Sequence, residues 1–128
     1  MKGFPNQVSD IAKLTRALQV VAERIERAES LDDDPLGEAL LRSGVLGTGH
    51  GKNPPSIDSY LATMRTKPES RQSHRTSARG IKEFFRRAGA LESIGARTEV
   101  TYTARGILAT SGDPASEAFR LAWRLAMA

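Results

Sequence analysis

Residues 73 to 90 read SHRTSARGIKEFFRRAGA and carry two patterns at once. Ile81, Phe84, Phe85 and Ala88 recur at the three-and-four spacing of one helical face. Arg75, Arg79, Lys82 and Arg86 recur at the same spacing on another. The spacing predicts a helix from Ser73 or Ser77 to Ala88, closed by Gly89, with the apolar face buried. Glu83 is the one carboxylate inside it, so the cations lack interleaved acids and, left to themselves, repel one another. Between Arg65 and Arg87 eight Lys/Arg meet only Glu69 and Glu83. That local excess predicts a surface for an anionic partner, the alternative being a solvated charged face.

On the amino-terminal side, SIDSYLATMR predicts a helix capped by Ser56, with Ile57, Tyr60, Leu61 and Met64 inward. TKPESRQS follows as a polar turn broken by Pro68. On the other side the period changes from helix to strand. In ALESIGARTEVTYT, Thr98, Val100 and Tyr102 alternate with Arg97, Glu99 and Thr101 beyond Gly95-Ala96, which predicts a two-stranded hairpin with Tyr102 inward. ARGILAT predicts a short helix after Thr103.

Nearer the start, Ile11, Leu14, Leu18, Val21, Ile25 and Ala28 predict a first helix from Asn6 or Ser9 to Glu29. Its apolar rhythm is too short for a secure coiled coil, and it either crosses its own domain or pairs with a second copy. DDDPLGEALLRSG predicts a second helix, with Asp34 as cap, Pro35 in the first turn and Gly44 at the end. The helix dipole accounts for its three aspartates. From Asp113-Pro114 a last helix is expected, apolar over most of its circumference through Phe119, Leu121, Trp123 and Leu125. It would pack on the first helix or on a second subunit.

These elements make a mainly α chain with a small β-hairpin, expected as one domain of 128 residues. Within it, residues 1–50 read as an N-terminal helical extension, 56–109 as the core and 113–128 as a C-terminal helix. The net charge of +4 is split, −2 over residues 1–50 and +6 over 51–128. The absence of cysteine excludes disulfides and thiolate metal sites. No apolar run approaches the ~20 residues of a membrane span, and none follows Lys2 as a secretory leader would require. A soluble, cytoplasmic protein is expected.

Catalytic chemistry is not legible. GTGHGKNPP (47–55) departs from the phosphate-loop pattern at Leu46 and Asn53, and from a dinucleotide fingerprint at Lys52. His50 and His74 stand alone, no nucleophile has a base beside it, and Glu92 and Glu99 read as exposed strand residues. The expectation is a non-enzyme with no metal and no cofactor.

Helix, polar turn, basic helix and hairpin together resemble the winged helix-turn-helix fold over Ser56 to Ala109. TEVTYTARGILAT is similar to the passage from second wing strand into helix in MarR- and PadR-type regulators. There a Thr, a basic residue and Gly occupy the positions of Thr103, Arg105 and Gly106. The resemblance implies a supporting helix at 56–66, a recognition helix at 76–88 and double-stranded DNA as partner. Arg79, Lys82 and Arg86 would then meet the duplex. Arg71, Gln72, His74, Arg75, Thr76 and Ser77 would lie at the end that reaches base edges or phosphates, and Arg97 at the wing tip. It further implies a transcription regulator, or the reading module of a restriction or replication protein, with possible pairing as a homodimer through the first and last helices. The turn TKPESRQSHR exceeds the usual length of about three or four residues, so it would itself lie against DNA. The rival is a protein-interaction winged helix whose basic face meets an acidic partner. RNA ranks lower, because an inward Tyr102 leaves few aromatic platforms for bases.

Overall fold

The computed structural model of the chain describes residues 11–48 and 53–109. The middle of the glycine loop and the expected last helix lie outside the described residues. The order is α1 (Ile11–Glu26), α2 (Asp33–Arg42), α3 (Ile57–Met64), a single 3-10 turn (Glu69–Arg71), α4 (Ser73–Arg87), β1 (Leu91–Ile94), β2 (Arg97–Val100) and α5 (Tyr102–Ala109). The described residues are mainly helical, with one antiparallel hairpin. No helix among the described residues is long and apolar enough to cross a membrane.

Local chemistry accounts for most boundaries. α1 ends where Ala28 takes a left-handed turn at φ 55°, which leaves that alanine exposed rather than inward. Ser56 caps α3 by accepting from the Ser59 amide at 3.2 Å. α4 stops at Ala88, and Gly89 at φ +76° turns the chain toward the hairpin. β1 and β2 pair Leu91 with Val100 and Ile94 with Arg97 around the turn at Gly95-Ala96, where Gly95 has φ +63°. Thr48 Oγ1 donates to the Pro55 carbonyl at 2.9 Å and ties the two ends of the glycine loop together.

Two further boundaries, besides the early end of α1 at Glu26 rather than Glu29, differ from the sequence expectation. The cap of α2 is Asp32, with no side-chain capping bond, and Asp34 lies inside the first turn facing α4. Tyr102 is 91% exposed, because the strand alternation stops at Val100. Thr101 donates its amide to the Ala90 carbonyl and accepts from the Ala104 amide through Oγ1, capping α5 so that the helix begins at Tyr102.

The core joins elements distant in sequence. Leu14, Leu18 and Val21 of α1 and Leu36 and Leu40 of α2 pack with Ile81 and Phe85 of α4, Leu91 of β1 and Ile107 of α5. Phe84 is only half-buried and stands edge-on to Phe85, ring centroids 6.0 Å apart. α1 and α2 thus supply a large share of the interior. The most extensive helix contact is α2 along α4, while α3 touches chiefly α2. The support of α4 is therefore α2, not residues 56–66. Gly37 makes that approach possible. A Cβ there would stand 2.5 Å from the His74 carbonyl oxygen and 2.9 Å from its Cδ2, too close for any side chain without displacing α4.

Candidate nucleic-acid interface

α4 divides its cations between two surroundings. The side facing α2 meets the acids of that helix's first two turns. Asp33 Oδ1 accepts from Lys82 Nζ at 2.9 Å, and Asp33 Oδ2 accepts from Arg79 Nη2 at 2.8 Å and Nε at 3.0 Å. Lys82 also donates to the Leu31 carbonyl at 2.8 Å, which holds its ammonium at the seam. Asp34 accepts from Arg65 Nη2 at 2.9 Å and lies 2.6 Å from His74 Nε2, with Arg75 Nε at 3.8 Å. Glu38 bridges Arg65 at 2.8 Å and Arg42 at 3.1 Å.

Several residues expected at DNA belong to this seam or to the interior. His74 is 1% exposed, its Nε2 on Asp34 and its Nδ1 buried without a hydrogen-bond partner among the described residues. Gln72 is buried, donating to the Lys67 carbonyl at 2.9 Å and accepting from Arg75 Nε at 2.7 Å. Ser77 is buried as well, Arg75 is half-buried, and the Lys82 side chain is 16% exposed. These five do not offer a free surface. The acids missing from α4 itself are provided by α2, about forty residues earlier, so the stripe is not the uncompensated array that α4 alone suggests. Asp33, Asp34, Glu38 and Arg65 are the participants that sequence reading did not pick out. The signal was the opposite charge of the two parts of the chain, −2 against +6, the expected mark of surfaces that meet.

Among the described residues the opposite side of α4 remains open. Thr76, Glu83, Arg86 and Arg87 are exposed there, with Arg79 at its border with the seam, around Gly80, where a Cβ would meet nothing within 4 Å. Arg87 approaches Glu83 only at 3.9 Å, and Arg79 keeps 64% of its side chain in solvent despite its bond to Asp33. Arg71 and Lys67 lie exposed in the turn before the helix. Arg97, near the hairpin tip, is exposed but pairs with Glu99 at 3.1 Å. Counting Asp33, Asp34 and Glu38 with Glu69 and Glu83, the eight cations from Arg65 to Arg87 face five acids, and an excess of three remains (8 − 5).

The seam tunes its carboxyls. The Arg65 hydrogen bond, aided by His74 against the opposing effect of burial, holds Asp34 at about 2. Burial pushes Asp33 up, but the bonds from Lys82 and Arg79 outweigh it and bring Asp33 below its ordinary value. Arg65 and Arg42 lower Glu38 in the same way. All three acids are ionised at neutral pH, as an ion-pair seam requires. Among the described residues no group of three His, Asp or Glu is placed to hold a metal ion.

No family model, curated protein or solved structure matches the chain.

Proposed function

We propose that the chain binds double-stranded DNA with the outer face of α4, in the manner of a winged helix. Its role would be that of a transcription regulator or of the reading module of a larger DNA-processing protein. The observation that carries this reading is the open outer face itself. It presents Thr76, Arg79, Arg86 and Arg87 around a glycine, with Glu83 the one carboxylate among them, on a helix held from behind by Ile81 and Phe85. A groove-reading helix needs that division, one face anchored and the other polar, cationic and unobstructed. Gly80 allows a backbone or sugar to come close. Arg71 and Lys67 extend the cationic surface toward the helix start, where phosphates would be met. The contact set is therefore Arg71, Thr76, Arg79, Arg86 and Arg87, with Arg97 at the hairpin and, Arg79 apart, without the seam residues.

Four phosphate contacts would make log affinity fall against log salt with a slope of about −3 to −4. The test is duplex binding across a salt series by the wild type and by Arg86→Ala/Arg87→Ala. The double variant is expected to bind more weakly on every sequence, with a slope shallower by about 2. Unchanged affinity in that variant would remove the surface from consideration.

A second reading, a protein-interaction module, draws on Tyr102 and Ile94, exposed by 91% and 57%. Large apolar side chains in water mark contact surfaces when they cluster. These two stand at opposite ends of the hairpin, Ile94 at its tip and Tyr102 beyond its base, and so form no single patch. DNA is the better-supported partner.

A further inference from the structure

We propose that Arg79 reads a guanine in the major groove and that Asp33 is the residue that positions it. The inference rests on the duplex-binding reading above and names the base chemistry of that same surface.

Arg79 gives one edge of its guanidinium, Nε and Nη2, to a single oxygen of Asp33, at 3.0 and 2.8 Å. The other edge, formed by Nη1 and the outer hydrogen of Nη2, is not used by that bond, and the side chain is 64% exposed. Asp33 is itself held. Its second oxygen takes Lys82 Nζ at 2.9 Å, and Lys82 is anchored on the Leu31 carbonyl at 2.8 Å. Asp33 and Lys82 are only 19% and 16% exposed, so the support under Arg79 is largely withdrawn from water. A flexible arginine is thereby turned into a group of defined direction on the outer face of α4.

Charge decides whether this carboxylate blocks Arg79 or presents it. A lone Asp33 would cancel the arginine and repel DNA. Lys82 compensates Asp33 from the core side, so the trio keeps one net positive charge, carried by its exposed member. The hold orients Arg79 without neutralising it.

Geometry then selects the target. The free edge offers two parallel N–H donors in one plane. Guanine is the base that sets two acceptors, O6 and N7, side by side in the major groove. A phosphate accepts from many directions and gains little from an arginine restrained in this way. Restraint before binding lowers the ordering cost of a directional contact.

The experiment is selection from a random duplex pool at low salt with the wild type, Arg79→Ala, Asp33→Asn and Arg86→Ala. The wild-type motif is expected to contain a guanine position with discrimination on the order of 10- to 100-fold. Arg79→Ala should lose that position, and Asp33→Asn should relax it while the rest of the motif persists. Arg86→Ala should keep the motif at lower affinity. Replacing the guanine by 7-deazaguanine, which removes N7, should weaken the wild type and leave Arg79→Ala unaffected. Arg79→Lys keeps charge and stem but lacks the paired donors. It should behave as the alanine variant does, which preserves the test if alanine disturbs the helix. If the Arg79 variants weaken all duplexes by one factor with the motif intact, Arg79 meets phosphate, and the proposal falls while duplex binding stands. Failure of the wild type to retain any duplex overturns both.

Discussion

Asp34 shows how much depends on which side of a helix a carboxylate faces. As an N-cap it would serve the amides of α2 alone. One turn inside, it takes Arg65 at 2.9 Å and His74 at 2.6 Å and links α2 to the end of α3 and the start of α4. A carboxyl held at about 2 in the fold, against an ordinary value of 3.8, stabilises the folded state fully above pH ~4. That contribution is lost as pH falls through about 2, where the folded form is finally protonated. With Arg65 44% exposed, solvent screening brings its size to on the order of 1–2 kcal/mol. Asp34→Asn is expected to lower stability at pH 7 by about that amount and to flatten the acid decline between pH 4 and 2. Urea unfolding at pH 7 and at pH 2.5 measures both. An undiminished acid dependence in the variant would assign the loss to other carboxyls.

At the scale of the element, α4 was legible in outline and misleading in its charges. Ile81 and Phe85 announced the buried face, and Gly89 announced the end, because both depend on spacing and backbone chemistry within a few residues. The fate of the cations depends on α2, whose approach at Gly37 no local pattern encodes. His74, Gln72 and Ser77 look like groove-reading polar residues in sequence and are interior in the fold. The hairpin was equally readable up to Val100, and Tyr102 was not, since a cap by Thr101 overrode the strand alternation. Gly80 gives this helix its own test. In mid-helix, glycine costs about 1 kcal/mol relative to alanine, and here no neighbour within 4 Å requires it. Gly80→Ala is expected to raise the melting temperature and yet weaken duplex binding if the outer face approaches a groove. Thermal melts and binding isotherms on the same preparation decide it. A more stable variant with undiminished affinity would show that nothing comes close at that position.

For the molecule as a whole, charge separation along the sequence becomes charge contact in the fold. The acids of residues 33 to 38 fold onto the basic segment from Arg65 to Lys82, and what is left over appears on the far side of α4. The same arrangement bears on where the chain can be cut. A fragment starting at Ser56 would retain the helix and hairpin of the winged-helix resemblance but lose Leu14, Leu18, Leu36 and Leu40 from around Phe85. It would also lose every counter-ion of Lys82 and Arg79 found among the described residues. That fragment is expected to give poorly dispersed amide resonances, and the chain from residue 1 to be dispersed; a dispersed spectrum from the fragment would refute the shared core. The practical corollary is that the basic helix α4 is not a portable cassette: grafted into another protein or expressed by itself, it would have to bring its acidic cradle along.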